Sequence, residues 1–304
     1  LKVQQQVVTE EYHQSCENQP YGDVWLLLRP LCYKVHPYRW STIGSTITHV
    51  QQATLDDVRN FFFRYYRPNN AILAVAGNIN IADTRAMVEK WYGDIPVGES
   101  VSHILPQEPP QTSPREETVY RDVPSDAVYI CYHMPGRRHE DFPAYDLLSD
   151  LLSNGESSRL YNHVVKSKAL FTELDACVTG DYDPGLFVVC GKLRDGVDMT
   201  TAVAAVEQEL QEMVSTPVSA VELQKVKDKA ESAFVFSHYK VLDRAMALCY
   251  YEALGHVDQV NEEPKLYQNV SSADICRVAA SCFRPDNRSI LYYLRKDSPA
   301  SVQS

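Results

Sequence analysis

No stretch of this chain stays apolar for the roughly 20 residues that a bilayer-spanning helix needs, and no two of its eight cysteines have Cys-x-x-Cys spacing. The first absence leaves the sequence without a membrane span, and the second argues against a thiolate zinc site. Cys16, Cys32, Cys131, Cys177, Cys190, Cys249, Cys276 and Cys282 are scattered, and several fall inside apolar patterns such as Val189-Cys190 and Leu248-Cys249. They read as reduced core residues. Basic charge is also scarce: 29 Lys and Arg face 40 Asp and Glu, a net charge of −11. That balance argues against a nucleic-acid partner, whose phosphates need clustered Lys and Arg. The densest basic run, Gly136-Arg137-Arg138-His139, is followed at once by acids. What remains is ordinary for folded protein. With 304 residues, 44% hydrophobic and 23% charged, the chain is long enough for two domains, each with its own core.

Against this background one pattern occurs twice. Tyr66-Arg67-Pro68-Asn69-Asn70 leads into Ala71–Val75, and Phe283-Arg284-Pro285-Asp286-Asn287 leads into Arg288–Tyr292, 217 residues later. The match runs backwards without a gap, pairing Thr54 with Ser271, Asp57 with Asp274 and Val58 with Ile275. Each copy reads as a polar cap, a helix, an aromatic-Arg-Pro turn and a buried strand. A repeat this long is a duplicated domain. The second copy begins with a strand near Glu117, and the same shift places the start of the first about a hundred residues before Leu1. The expectation is that the first copy lacks its N-terminal part in this chain.

Helical composition covers 2–16, 20–32 and 54–65, with Asp57 serving Thr54 as a capping-box acid. Residues 71–77 read as a buried strand and 81–92 as an amphipathic helix. Pro96, Pro106, Pro109, Pro110 and Pro114 mark 96–115 as a linker. Beyond it come strands at 117–122, 127–134, 171–179, 185–193 and 288–294. Helices fill 142–153, 157–167, 197–213, 219–237, 240–254 and 271–282. The fold class expected is α+β, with duplicated domains of a mainly antiparallel sheet packed on helix pairs. Residues 1–95 would be the C-terminal part of the first domain, and 116–304 a second, homologous one.

The residue that invites chemistry is Glu11. At about 100° per residue it falls between Val7 and Val8, on an arc shared with Leu1 and Tyr12. A carboxylate in an apolar arc calls for a metal, a hydrogen-bond network or a buried Arg or Lys partner. The pattern alone leaves all three open.

Val7-Val8-Thr9-Glu10-Glu11, His36-Pro37-Tyr38-Arg39-Trp40 with Gly44, and Tyr65-Tyr66-Arg67-Pro68-Asn69-Asn70 into Gly77 resemble the insulinase/pitrilysin-type zinc peptidases, which include the mitochondrial processing peptidases. Gly155-Glu156-Ser157-Ser158-Arg159-Leu160-Tyr161 is similar to the signature of that family's second domain. The resemblance implies a zinc endopeptidase of peptides or unfolded polypeptide. Two histidines and a general-base glutamate would lie on a His-x-x-Glu-His helix, with the third zinc ligand a glutamate about 70–80 residues on. Glu11 matches that third ligand, so the histidine helix would fall in the stretch the repeat places before Leu1. The fragment alone would be inactive.

Two departures from the family pattern bear on function. The supporting acid usually found seven residues before the third ligand is Gln4 here. The Arg and Tyr by which some second domains hold substrate fall on Val165 and Thr172, neither of which can replace them. The second domain is therefore expected to be non-catalytic, with a homologous half, fused or separate, completing the enzyme. The rival from another class is a non-catalytic scaffold or partner subunit of the same fold. His133 and His139 could suggest a further metal site but read as surface histidines after a strand. His36 reads as a loop residue able to line a cavity, with Tyr33, Tyr38 and Trp40 as an apolar wall.

Overall fold

A computed structural model describes residues 1–101 and 104–296. In chain order the elements are α1 (Lys2–Tyr12), α2 (Val24–Cys32), α3 (Ile47–Gln52), α4 (Leu55–Tyr65), α5 (Ile81–Tyr92), β1 (Arg115–Arg121), β2 (Ala127–Met134) and α6 (Phe142–Ser153). There follow β3 (Phe171–Val178), β4 (Gly185–Leu193), α7 (Met199–Ser215), α8 (Ala220–Ser237), α9 (Val241–Ala253), α10 (Gln259–Asn269), α11 (Ser272–Cys282) and β5 (Arg288–Arg295). Two turns are π-helical, His13–Glu17 and Tyr161–Ser167. The chain divides into two compact units. One holds Leu1–Thr9, Thr46–Leu105 and Ala230–Lys265, and the other Glu10–Ser45, Pro106–Lys229 and Leu266–Ser304.

The second unit is built on a five-stranded sheet of order β1-β5-β2-β4-β3. β1 pairs with β5 in parallel, and the other pairs are antiparallel. Side chains alternate across a strand, and here both faces are covered. Ala127, Cys131, Leu186, Val188, Leu291 and Tyr293 share one face, on which α2 lays Val24, Leu28, Leu31 and Cys32. Those four positions lie at helical spacing, so one stripe of α2 is apolar and buried. On the opposite face Tyr132 and Phe187 meet Phe283 edge-to-face, at 5.2 and 5.1 Å between ring centroids. Burial on both sides explains why β4 reads as a continuous apolar run rather than an alternating one. The expected α+β class with a mainly antiparallel sheet is what the structure has.

The duplicated pattern produces the same local structure twice. Thr54 and Ser271 each close a capping box, with Asp57 and Asp274. Pro68–Asn70 and Pro285–Asn287 each form one 3₁₀ turn. Asn70 and Asn287 each donate a side-chain amide to the carbonyl five residues back, Tyr65 and Cys282, both at 2.9 Å. Asn287 reaches further and also donates to the His133 carbonyl at 2.9 Å.

Beyond the turn the copies part. α11 buries Ile275, Val278, Ala279 and Cys282, whereas α4 buries no residue. Arg288–Arg295 is a central strand, but the strand expected at 71–77 is not formed, and Ile72, Leu73 and Val75 are exposed. A strand needs a neighbour to take its N–H and C=O groups, and no described segment pairs with this one.

Other expectations are adjusted at element ends. The helix expected over 2–16 is α1 and a π turn, 157–167 ends in the second π turn, and α10 was not foreseen. Pro264 lies inside α10, where proline reads as a breaker. The proline-rich segment has no regular structure among its described residues until Arg115, where β1 begins, and 102–103 lie outside them. Its later half is tied to the second unit. Glu108 accepts the backbone N–H groups of Lys34, Val35 and His36 at 2.8, 2.8 and 2.9 Å, and those bonds hold its carboxyl below the ordinary value against the cost of burial. No described helix is long and apolar enough to cross a membrane.

Candidate functional site

Glu11 sits one residue before the end of α1. Most of the apolar arc that framed it is not buried: Val3 is 69% and Val7 53% exposed, and Glu11 itself is exposed. Of the arc only Tyr12 is buried, with Cys16 beyond it in the π turn. The helix is anchored through a residue its sequence pattern did not single out. Gln5 donates its amide to the carbonyls of Val50 and Ala53, both at 2.9 Å, at the C-terminal end of α3. Glu11 makes no hydrogen bond or ion pair with another described residue, so the alternative of a buried Arg or Lys partner is not realised.

Next to Glu11 the chain enters a cavity of about 500 Å³ lined by Tyr12, Cys16, Glu17, Asp23, Arg121 and Tyr293 among others. Asp23 organises it, accepting from Arg121 Nε at 2.9 Å and from the Tyr293 hydroxyl at 2.7 Å. Burial, with Asp23 and Glu17 nearby, pushes the Cys16 thiol up and keeps it protonated. Glu11 does not line this cavity.

The aromatic loop after α2 is a lock. His36 is buried, with Nε2 3.3 Å from Asp183 and Nδ1 accepting the Tyr38 N–H at 3.1 Å. The Tyr33 hydroxyl donates to the Pro184 carbonyl at 3.1 Å, and the Tyr38 hydroxyl accepts the Asp183 N–H at 3.3 Å. Gly136 fits the same corner, because a Cβ there would meet the Tyr182 carbonyl at 2.4 Å. Trp40 lies apart from the wall expected of it, exposed under the Arg39 guanidinium. His133 is not a surface residue: its Nε2 lies 3.0 Å from the Cys32 carbonyl, and burial lowers its pKa. His139 is near Asp141 on the surface. Sequence spacing had no means of seeing the bonds of Tyr33, His36 and Tyr38 to 183–184 or of His133 to Cys32, which join segments more than a hundred residues apart.

Val165 is buried in the second π turn, and Thr172 uses its hydroxyl to donate to the Lys192 carbonyl at 3.1 Å beside a register shift in β3. Neither position offers a donor to a peptide. In the signature that precedes them, Arg159 holds Glu222 by two bonds, from Nε at 2.8 Å and Nη2 at 3.0 Å.

A zinc site needs about three protein ligands converging on one point. Among the described residues Glu11 brings one exposed carboxylate and belongs to no group of three such side chains close enough to share a cation, so these residues by themselves do not fit the ion. The one described trio of His, Cys, Asp or Glu side chains close enough to share a cation is His163, Glu209 and Glu212.

The profile described as Peptidase M16 inactive domain matches residues 52–230, more than half of the chain, and the chain belongs to that peptidase family. It is 26% identical over 295 residues to the zinc protease PqqE of Helicobacter pylori, covering 96% of this chain and 66% of that protein. It is 25% identical over 240 residues to the uncharacterized zinc protease YmxG of Bacillus subtilis, covering 78% and 56%. Among solved structures, a protease from Helicobacter pylori superposes with a TM-score of 0.86 at 24% identity, over 95% of this chain and 70% of that one. The chain thus spans about two thirds or less of the curated relatives it matches.

Proposed function

We propose that this chain is the frame of a zinc-dependent endopeptidase acting on peptides or unfolded polypeptide, with Glu11 as one zinc ligand. The histidine ligands and the general-base glutamate come from residues outside these 304. The observation that carries the reading is the pair of unequal copies. α4 and the segment after it repeat α11 and β5 in sequence and in capping, yet lack the neighbours that bury the second copy. The resemblance around Glu11 supports a third zinc ligand there, on an exposed carboxylate that makes no hydrogen bond or ion pair with another described residue.

The chain's own residues supply positioning. α1 carries Glu11, Gln5 fixes α1 against the end of α3, and the second unit forms a rigid two-faced sheet. With Val165 and Thr172 where other second domains hold substrate, this unit is the non-catalytic one, and a homologous half supplies the missing substrate contacts. Alone, the chain hydrolyses nothing. In the intact protein Glu11→Gln is expected to remove one bound zinc equivalent and abolish peptidase activity. Zinc content equal to wild type would overturn the assignment of Glu11.

The second reading is a non-catalytic scaffold of the same fold. The match to an inactive-domain profile and the Val165/Thr172 pair favour it. An intact protein that binds zinc at Glu11 yet cleaves no unfolded polypeptide decides for this reading.

A further inference from the structure

We propose that His163, Glu209 and Glu212 form a divalent-cation site, with zinc the best-fitting ion, that clips the π turn Tyr161–Ser167 to α7. The site is separate from Glu11 and independent of the peptidase reading. One ligand atom from each of the three side chains lies within 4.8 Å of the others. Glu209 and Glu212 are three apart on α7 and so share a face. His163 reaches them from a π-helical turn, a rare geometry that turns a side chain out of α-helical register.

Two further observations point to a cation. Glu209 is only 3% exposed, and its one hydrogen bond is with His163 Nδ1, at 2.7 Å. Beyond the trio no described donor serves this buried carboxylate, which is costly to leave so. The cations nearby are committed elsewhere: Lys225 bears on Glu222 and donates to Ser157. Three carboxylates, Glu209, Glu212 and Glu222, face one guanidinium, that of Arg159, and Glu222 already engages it through both of its oxygens. The nearby ammonium of Lys168 is turned to Gln208 at 3.3 Å, and Glu212 receives only a long bond from the same glutamine at 3.4 Å.

A cation at the trio supplies the missing positive charge. It takes the place of the Nδ1 proton, with the imidazole held as its Nε2–H tautomer, and binds one oxygen from each glutamate. One nitrogen and two oxygens suit zinc with water in the fourth position. His163 is half exposed, which gives the ion a way in.

The chain, freed of metal by chelation and dialysis, is titrated with zinc by calorimetry at neutral pH and melted with and without the ion. One saturable equivalent and a raised Tm are expected. His163→Ala and Glu209→Gln should each weaken binding about tenfold or more and abolish the rise in Tm. Glu11→Gln should change neither, which separates this site from the one in the proposed function. His163→Ala removes a half-exposed side chain and keeps the test open if the buried Glu209 variant fails to fold. Absence of saturable binding in the wild type, or binding that survives in His163→Ala, overturns the proposal.

Discussion

Ser271 and Asp274 illustrate what single residues contribute. The Ser271 hydroxyl and N–H both donate to the Asp274 carboxylate while Asp274 N–H donates back, and with Arg277 beside it the carboxyl is held down at about 2. Ser271→Ala is expected to cost about 1 kcal/mol, read as a lower denaturation midpoint. The folded value lies below the ordinary 3.8, so the carboxylate's contribution is present above that pH and is lost as pH falls through about 2. His133 works at the other end of the acid range. Burial favours its neutral form, so the unfolded chain takes up a proton near 6.5 while the folded chain resists. Stability should therefore fall as pH drops below that value, and His133→Gln should flatten that slope in urea titrations at a series of pH values. Both capping boxes were legible in the sequence because their partners are three residues apart. The settings of His36 and His133 were not, because Asp183, Glu108 and Cys32 reach them through the fold.

At the scale of elements, legibility followed the source of the stabilising contacts. β2, β4 and α6 have the ends their patterns implied, because each is an apolar run bounded by turn or cap residues in its own sequence. The strand expected at 71–77 has an apolar run like that of β5 but no partner in the described chain. Composition can state a strand's need for a neighbour, not its presence. The arc read around Glu11 raises the same point: a helical wheel assigns an arc, and only packing decides how much of it is covered. α2 gives the opposite lesson. It was legible as a helix of the N-terminal region, yet Leu28 is fully buried on the sheet of the second unit. Leu28→Ala should cost about 2–5 kcal/mol, read as a lowered Tm of that unit. The Arg159–Glu222 fork ties the start of the π-turn region to α8. Arg159→Lys keeps the charge but loses the paired geometry, and should cost about 1–2 kcal/mol in thermal unfolding.

For the whole molecule, the unit containing α4 presents Phe61, Phe62, Phe63 and Tyr66 at 50–64% exposure, with Phe62 stacked on Tyr66 at 5.0 Å. An apolar cluster of this kind marks a surface that another element covers. Phe62→Glu should reduce both dye binding and concentration-dependent association of the isolated chain, with no change in helical content by circular dichroism. The repeated cap, helix and turn were readable from the sequence. How the chain divides into packed units was not, since residues 10–45 join the later unit through contacts that homology alone does not record.

The twin capped helices also form an internal control. α4 and α11 have equal lengths, the same cap and the same turn beyond, and differ in whether anything lies over them. Amide hydrogen exchange should separate what local code and tertiary burial contribute to one motif within a single molecule. α4 amides should exchange by local opening, at rates set by fraying, while those of α11 await unfolding of the sheet beneath. If a further segment or partner comes to rest on α4, its exchange should slow toward that of its twin. The gap between the two helices would then report how far the first copy has been completed.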